Sequence, residues 1–382
     1  MKLTLDFSEL VSVLGFSNTI LSDKSVDDKL KNVIFMVSEK GCKAVGYNAF
    51  TFHRTELKSA EVEDISDEGW EFQVKASELN KIVSSFSSLY KTKVEKISFE
   101  KEGVKVRLTV YEEPIDEKDA RLAQASKFNL EDAPILANIN KEIHMEFPEE
   151  LDILASEDLS FFLDALFPLM SNDSESKMAG KLNFAEDYIF VISSKMSAFF
   201  NNKLPEAFKN ITLSYSSVTF LNKLCSVSPD LEVVKINKYL CVRSGNTESF
   251  MKYQNVAINY KKYVEMRSKD NGIVVDRMYL KDVLKRMSNV SMNGKMYVLE
   301  DGNLEVTNEM FSQVIPLDNI KGDVKGIAFT VAVHLLEQVI IGKDEFLSGE
   351  LYIYFVKSPR GYTIYLSDRS GVWFSNISVT RA

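Results

Sequence analysis

The sequence has few of the features that mark a secreted, fibrous or membrane-spanning chain. Its 382 residues include only 3 cysteines, 3 histidines, 16 glycines and 8 prolines, and no run approaches the ~18 to 20 apolar residues of a membrane span. Cys42, Cys225 and Cys241 are odd in number and irregularly spaced, which favours reduced thiols over a disulfide framework. An acid, Asp6, interrupts the N-terminus too early for a secretory signal. We therefore expect a cytoplasmic globular protein without a membrane partner.

The composition supports several buried cores on an acidic body. Hydrophobic residues make up 45% of the chain and charged residues 26%, which is typical of a globular protein. A chain of this length exceeds one ordinary core, so we expect two or three domains of ~100 to 150 residues. The formal net charge of −9 argues against nucleic-acid binding through a uniformly basic surface. A local basic surface on an acidic body is still compatible with it.

Two kinds of segment each occur three times. In residues 72–83 and 329–340, and more weakly in 213–224, two apolar positions at strand spacing lead into apolar positions at helical spacing. Before each of these segments lies an i, i+3, i+4 apolar stripe that predicts another helix. The three stripes are Leu10/Val13/Leu14, Leu159/Phe162/Leu163 and Leu280/Val283/Leu284. Glycines at positions 41, 103 and 302 predict the turns of hairpins between the helices.

The order helix, strands, helix, strands therefore occurs three times and predicts an α+β protein. We expect three repeated domains, residues 1–128, 129–262 and 263–382, each of ordinary size. Residues 111–135 are acidic, bracketed by prolines and without apolar periodicity, so they predict a surface connector after the first domain.

This threefold order resembles the bacterial β sliding clamp family, the DNA polymerase III beta subunit-like processivity clamps. Local matches in residues 1–3, 30–35, 41–48, 259–264 and 377–382 add to the resemblance. The resemblance implies that two three-domain subunits close head to tail into a six-domain ring, with helices lining the hole and sheets forming the outer wall. It further implies a DNA sliding clamp, a processivity factor for replication that tethers DNA polymerase on double-stranded DNA.

If the chain is a clamp, its pore-side helices should carry a basic surface. The stripe of Leu280, Val283 and Leu284 predicts that other residues of the same helix recur on a separate, basic face. The residues predicted to contact DNA are Lys24, Lys81, Lys91, Lys93, Lys223, Arg277, Lys281 and Lys285. Taken singly, each of these fits a solvated helix face better than a DNA contact, so the prediction rests on their joint placement on pore-side helices. Acidic helices around Glu9 and Glu157 depart from the family pattern and predict a weak or partial grip on DNA.

The resemblance also implies a hydrophobic cleft between the second and third domains that receives a peptide from the polymerase or the clamp loader. By position, the residues that would line it are Met196, Ala198, Ile258, Tyr263, Val264, Ile377, Val379 and Ala382. Apolar side chains suit an extended peptide, although each also fits an ordinary core or interface. The family's Thr-Asp-Gly-His-Arg-Leu stretch is replaced by residues 193–198, and its Met-Pro-Met tail is absent. We therefore expect a different peptide, as in a bacteriophage clamp that serves its own polymerase.

The sequence shows no enzyme signature. The phosphate-binding, dinucleotide-binding, zinc-protease and serine-hydrolase motifs are absent, and His53, His144 and His334 are far apart in sequence. We expect no catalysis, no cofactor and no metal. The alternative to a homodimeric clamp is a monomeric clamp-fold accessory or decoy that occupies replication partners without encircling DNA. A ring would need complementary strand edges, which we expect between residues 104–108 and the region after Met287.

Overall fold

The computed structural model describes residues 1–21, 31–48, 50–103, 105–132, 134–170, 180–193, 196–265, 269–340, 349–358, 361–369 and 371–381. The helices are α1 (Phe7–Leu21), α2 (Ala76–Ser85), α3 (Ala137–Ile143), α4 (Ser156–Leu166), α5 (Tyr215–Cys225), α6 (Lys261–Glu265), α7 (Arg277–Ser288) and α8 (Val333–Val339). Short 3-10 turns occupy Glu117–Leu122, Phe167–Leu169 and Glu206–Phe208. Within these ranges, no helix is long and apolar enough to cross a membrane.

The strands of the first repeat are β1 (Lys2–Asp6), β2 (Asn32–Ser38), β3 (Gly41–Tyr47), β4 (Thr51–Leu57), β5 (Glu61–Glu63), β6 (Trp70–Lys75), β7 (Thr92–Glu102), β8 (Lys105–Pro114) and β9 (Gln124–Glu131). Those of the second are β10 (Asp152–Ala155), β11 (Leu182–Phe184), β12 (Tyr188–Ile192), β13 (Met196–Asn201), β14 (Ile211–Leu213), β15 (Asp230–Ile236), β16 (Tyr239–Ser244) and β17 (Thr247–Lys252). Those of the third are β18 (Gly272–Asp276), β19 (Asn293–Val298), β20 (Asn303–Thr307), β21 (Ser312–Pro316), β22 (Asn319–Lys321), β23 (Ala328–Ala332), β24 (Glu350–Ser358), β25 (Gly361–Asp368) and β26 (Trp373–Arg381).

The predicted threefold order is confirmed. Each repeat opens with a strand that runs directly into a helix, as β1–α1, β10–α4 and β18–α7. The three segments with mixed spacing are strands that lead into helices, β6–α2, β14–α5 and β23–α8. Each second helix is then followed by three antiparallel strands. The strand-to-helix change in apolar spacing was therefore a sufficient signal for the α+β architecture.

The repetition extends to individual hydrogen bonds in the turn between two central strands of each repeat. In the turn from β3 to β4, the Asn48 N–H donates to the Thr51 carbonyl at 2.9 Å, and the Asn48 Oδ1 accepts from the Thr51 N–H at 2.7 Å. Ser193 and Asn308 make the same two bonds to the residue three positions later. Short polar side chains are favoured here because their oxygen satisfies a backbone N–H of the turn.

Continuous sheets join neighbouring repeats. Strand β4 of the first repeat pairs antiparallel with β17 of the second, with Phe52 opposite Phe250. Strand β13 of the second repeat pairs in the same way with β26 of the third, with Phe199 opposite Phe374. We call these two strand pairs the first joint and the second joint. Each uses the last central strand of one repeat and the last strand of the next.

The chain packs into two compact units, each containing one joint. The first unit comprises Met1–Leu159, Pro205–Ala207 and Ser216–Tyr253, and the second comprises Ser160–Leu204, Phe208–Tyr215 and Gln254–Ala382. Each unit has an aromatic cluster on the sheet at its joint, around Phe52 and Phe250 in the first and around Phe199 and Phe374 in the second. The three domain boundaries expected from the sequence stay a prediction.

The prediction of a surface connector in residues 111–135 is wrong. Strand β9 occupies Gln124–Glu131 and pairs along its whole length with β8. Its only buried side chain is that of Leu130, so a half-exposed edge strand produced no apolar alternation.

The same pairing places β8 between β7 and β9, and β19 lies between β20 and β23. The edge pairing expected between residues 104–108 and the region after Met287 is therefore also wrong. Among the described strands, β9 and β21 instead lie at sheet edges.

Candidate functional site

Helix α7 carries the most basic exposed surface of the described helices. Asp276 caps its N-terminus, because the carboxylate Oδ1 accepts a hydrogen bond from the Tyr279 N–H at 2.7 Å. The predicted apolar stripe is buried, as Leu280, Val283, Leu284 and Met287. Lys285 and Arg286 are exposed in the last turn, where positive charge also complements the helix dipole. This end of α7 can therefore attract an anionic polymer.

Arg277 does not belong to the exposed basic surface, and its predicted place there is wrong. Its side chain is 1% exposed. Arg277 lies three and seven residues before Leu280 and Leu284, so helical geometry puts it beside the buried stripe. Its N–H donates to the Gly349 carbonyl at 2.7 Å, which ties the start of the helix to the chain before β24. Arg277 therefore contributes to packing, and the exposed positive charge of α7 comes from its other basic residues.

Lys281 is half-buried on the same helix. Burial lowers its pKa, because desolvation penalises the ammonium form. The carboxylate of Glu337 opposes this shift, whereas the positive charges of Arg277 and Lys285 add to it. Lys281 is less exposed than Lys285, so the accessible basic surface of α7 is centred on the last turn.

Two more of the predicted DNA-contact lysines lie on helices. Lys81 is exposed on α2, and Lys223 is exposed on α5. The Lys223 Nζ lies 5.8 Å from the centroid of the Phe16 ring, within the range of a cation–π contact. Both ammonium groups are accessible to a ligand. Lys24 lies outside the described residues.

The other two predicted lysines already face acids. The Lys91 Nζ lies 3.7 Å from the Asp119 Oδ2, and Lys93 forms an ion pair with Glu95. The hydrogen bond to Glu95 raises the pKa of Lys93. Exposed pairs of this kind add little stability, but each acid reduces the local positive potential. These two lysines are therefore weaker candidates than the end of α7.

Acids outnumber bases on the accessible sides of the six helices that follow β1, β6, β10, β14, β18 and β23. The exposed or half-exposed acids are Glu9, Glu78, Glu157, Asp158, Asp164, Asp282 and Glu337. The corresponding bases are Lys81, Lys223, Lys281, Lys285 and Arg286. Three of these five bases belong to α7, so positive charge in the described helices is concentrated in the third repeat. The weak or partial grip on DNA that this distribution favours stays a prediction.

The residues predicted to line a partner cleft lie on two faces of one sheet. Met196 and Ala198 of β13 share a face with Ile377 and Val379 of β26, because Met196 is directly opposite Ile377 and side chains alternate along a strand. This is the face on which Phe200 contacts α4. The other three described residues pack against the aromatic cluster of the opposite face, and they are Ile258, Tyr263 and Val264. Ala382 lies outside the described residues.

The opposite face carries a row of aromatic rings that crosses the second joint, which we call the aromatic ladder. Its central rings, Phe199 and Phe374, stack with centroids 4.6 Å apart and planes 9° apart. Phe190 stacks on Phe199 at 5.1 Å, and Tyr365 continues the row 5.6 Å from Phe374. The segment before and within α6 covers the ladder, with the Tyr260 ring 5.2 Å from Phe190.

Half-exposed tyrosines leave part of this surface available for binding. Tyr188, Tyr260, Tyr263 and Tyr352 border the ladder and are neither buried nor fully exposed. Large amphipathic rings of this kind are favoured at protein interfaces. Sequence reasoning identified Tyr263 but missed the others, although the alternation of Tyr188 with Phe190 was a visible signal for an aromatic strand face.

The histidines do not form a catalytic centre in the described structure. His53 is fully buried at the first joint, with its Nε2 3.2 Å from the Ser17 Oγ and its Nδ1 3.3 Å from the Thr55 Oγ1. Burial lowers the pKa of His53 to about 3, so the ring is neutral and a poor base near pH 7. His144 pairs with Glu71 at 2.8 Å, and His334 is exposed on α8. Among the described side chains, no group of three or more His, Cys, Asp or Glu is placed to hold a metal ion.

Three repeats joined by continuous sheets, each with two helices, give the chain the fold of a DNA sliding clamp. Over its full length it is similar to the DNA polymerase III subunit β of Pseudomonas aeruginosa, with a TM-score of 0.73, 15% identity and 100% of both chains covered. The DNA polymerase sliding clamp of Bacillus subtilis gives a TM-score of 0.75 at 13% identity, over 100% of this chain and 99% of that one.

A third similar structure is the β sliding clamp of Caulobacter crescentus, which holds polyethylene glycol at its proposed β-motif tethering region. It gives a TM-score of 0.74 at 13% identity and covers 100% of this chain and 99% of that one. No protein-family model matches the sequence, and no curated protein does. The likeness therefore lies in the fold, and the clamp-type fold expected from the sequence is confirmed.

Proposed function

We propose that the protein is a DNA sliding clamp, a non-catalytic factor that encircles duplex DNA and tethers a DNA polymerase. The single observation that carries the proposal is the clamp fold over the whole chain, in which both joints are continuous sheets. A closed ring holds DNA topologically, so it needs few specific contacts and tolerates an acidic body. We therefore also propose a cytoplasmic location, because bacterial DNA lies in the cytoplasm of free-living and of phage-infected cells.

The internal joints indicate how two copies would close the ring. At the first and second joints, β4 and β13 pair with β17 and β26. The corresponding strands that lack such a partner in the described structure are β21 in the third repeat and β9 in the first. We infer that β21 of one copy pairs with β9 of a second copy. Two such contacts would close a head-to-tail homodimer and satisfy both strand edges.

The aromatic ladder is the surface that we assign to partner peptides, in addition to the residues expected from the sequence. The Caulobacter clamp binds polyethylene glycol at a region proposed to tether β-motifs, which supports a peptide site in a protein of this fold. Here the half-exposed rings of Tyr188, Tyr260 and Tyr263 offer apolar area together with phenol hydroxyl groups. A short linear segment of a polymerase or of a clamp loader has the chemistry that this surface can bind.

Retention on DNA of different topology tests the proposal. Sedimentation equilibrium should give a particle of twice the chain mass. The protein should then elute with nicked circular duplex in a high-salt column and be lost after a restriction enzyme linearises the circle, because high salt removes electrostatic but not topological binding. A strictly monomeric chain, or retention that linearisation does not change, would contradict the ring and favour the monomeric accessory or decoy.

Reversing the charge at the end of α7 is expected to weaken DNA binding without changing the oligomer. The double variant Lys285→Glu and Arg286→Glu removes two exposed cations and adds two anions, so the affinity for duplex should fall by about tenfold or more at low salt. The matched control is Lys101→Glu with Lys105→Glu, which changes two exposed lysines of the first repeat that lie on strands. Fluorescence anisotropy with a labelled duplex measures both. Equal binding by the two variants would refute the assignment to α7.

A further inference from the structure

The opening strand of the second repeat has an edge that the other two repeats cover. In the first repeat, β5 pairs with β1 through three residues, Leu3 being opposite Val62. In the third, β22 pairs with β18 through three residues, Ile273 being opposite Ile320. In the second repeat, β10 is the outermost strand of its sheet and pairs only with β15 among the described strands.

The segment that follows the last central strand of each repeat explains why only the second repeat leaves its opening strand uncovered. After β4 and after β21, the chain continues into the short covering strands β5 and β22. After β13, it forms the 3-10 turn Glu206–Phe208 and then β14. Residues 202–210 are all described, so the second repeat does not make the covering strand from the corresponding segment. In the other two repeats, the corresponding position holds an antiparallel strand of three residues. We therefore expect the edge of β10 to accept a strand of the same length.

The backbone groups that face the open edge belong to Ile153 and Ala155. The Ser156 N–H donates to the Pro229 carbonyl on the β15 side at 2.8 Å. Because the N–H and C=O groups of alternate residues point in the same direction, Leu154 also faces β15, whereas Ile153 and Ala155 face away from it. The Ile153 side chain is 74% exposed, although Leu154 is buried. Within the part of the chain that the structure describes, the edge therefore offers backbone groups without a strand partner and an apolar contact.

The charges around β10 determine which strand would fit. The acids that surround the edge and are exposed are Glu149, Glu150, Asp152, Glu157, Asp158 and Asp230. The first repeat shows the opposite arrangement, since its covering strand carries Glu61 and Glu63, which pair with Lys96 at 2.7 Å and Lys2 at 3.2 Å. By the same complementarity, a strand that covers β10 would carry lysine or arginine on each side of an apolar residue.

We propose that the β10 edge is a docking site for a basic, extended segment of a partner protein, which adds an antiparallel strand to the sheet. The main-chain bonds to Ile153 and Ala155 supply the affinity, the Ile153 side chain contacts an alternate apolar residue, and the surrounding acids select positive charge. The site lies entirely within the first unit and uses no residue of the aromatic ladder or of α7. It therefore goes beyond the proposed clamp function and can be tested without DNA.

The experiment measures binding of an end-capped peptide, Thr-Lys-Val-Lys-Val-Lys-Thr, to the full chain by isothermal titration calorimetry. A peptide with glutamate in place of each lysine is the charge control. The first peptide should bind, and its affinity should fall as salt is raised, whereas the second should not bind. Binding of both peptides, or of neither, would overturn the proposal.

Two further measurements distinguish strand addition from charge attraction alone. Ile153→Pro removes an N–H that faces the open edge and costs no bond to β15. It should therefore lower the affinity for the lysine peptide by about tenfold or more. Ile153→Val keeps the N–H and should bind the peptide like the wild type. With the unaltered protein, peptides N-methylated on alternate residues should differ, because only one set of amides faces β10. Equal binding by Ile153→Pro and Ile153→Val, or by the two methylated peptides, would refute strand addition.

Discussion

Replacing Val314 by glutamate is expected to leave the protein monomeric and to abolish its retention on circular DNA. Val314 lies in the edge strand β21, and its side chain is 48% exposed in the single chain, so the substitution should not disturb the folded monomer. In the proposed homodimer, the same position lies against β9 of the second copy. A carboxylate buried there without a partner is costly, and the dissociation constant should rise by about 100-fold or more. Sedimentation equilibrium measures the change.

The matched control for this variant is Val227→Glu. Val227 is 41% exposed and precedes β15 in a turn rather than at a sheet edge. The control should remain dimeric and stay on circular DNA. If Val314→Glu also remains dimeric over the full concentration range, the two copies do not join through β21.

Replacing Phe199 by alanine is expected to produce the largest loss of stability in the second unit. Phe199 is fully buried between Phe190 and Phe374, which stack on it at 5.1 and 4.6 Å. Truncating a buried phenylalanine generally costs about 3–5 kcal/mol, and here the row of rings is also interrupted at its centre. Urea unfolding followed by tryptophan fluorescence measures the loss, because Trp373 is adjacent to Phe374 in β26.

The variant should have a second effect that an ordinary cavity would lack. The segment before and within α6 packs on the aromatic ladder through Tyr260 and Tyr263, so Phe199→Ala should increase amide hydrogen exchange in residues 254–265. Phe184→Ala is the control, since Phe184 is equally buried and contacts Phe208 outside the ladder, at 5.3 Å. It should destabilise the unit without selectively exposing that segment. Equal exchange in the two variants would argue that the ladder does not hold the segment.

Helices were predictable from the sequence because one side of each is buried. Stripes such as Leu280, Val283 and Leu284 repeat at helical spacing, and the change from strand spacing to helical spacing located the second helices as well. Edge strands gave no comparable signal. Strand β9 buries only Leu130, so its residues resembled a polar connector until its pairing with β8 was known. A strand lies at a sheet edge because no further strand pairs with it, and the residues of the edge strand alone do not reveal that absence.

The candidate site was predictable in its residue types more than in its geometry. Helical spacing correctly separated Lys285 from the buried stripe. The prediction nevertheless assigned Arg277 to the exposed basic face, although its spacing from Leu280 puts it beside that stripe and its side chain is 1% exposed. For the cleft, the order of residues along β13 and β26 could not reveal that Met196 lies opposite Ile377. Without that register, residues on two faces of a sheet look like one apolar set.

The two joints are alike in backbone and different in side chains. On the helix side of the first joint, His53 hydrogen-bonds Ser17 and Thr55, and Thr55 bonds Thr247 at 3.1 Å. Counted from the equivalent turns at Asn48 and Ser193, Ala198 and Phe200 of the second joint occupy the positions of His53 and Thr55. Phe200 packs on Phe161 and Phe162 at 5.4 and 5.5 Å.

This difference limits the mistakes available to a chain with three similar repeats. During synthesis, β4 and β13 present edges of the same shape to β17 and β26, so an exchange of partners would satisfy the main chain equally well. It would, however, break the hydrogen bond between Thr55 and Thr247 and place the Thr247 hydroxyl opposite Phe200, which offers no hydrogen-bonding group. Diverged side chains thus favour the pairing of each strand with its own partner and disfavour an exchange of partners between the repeats.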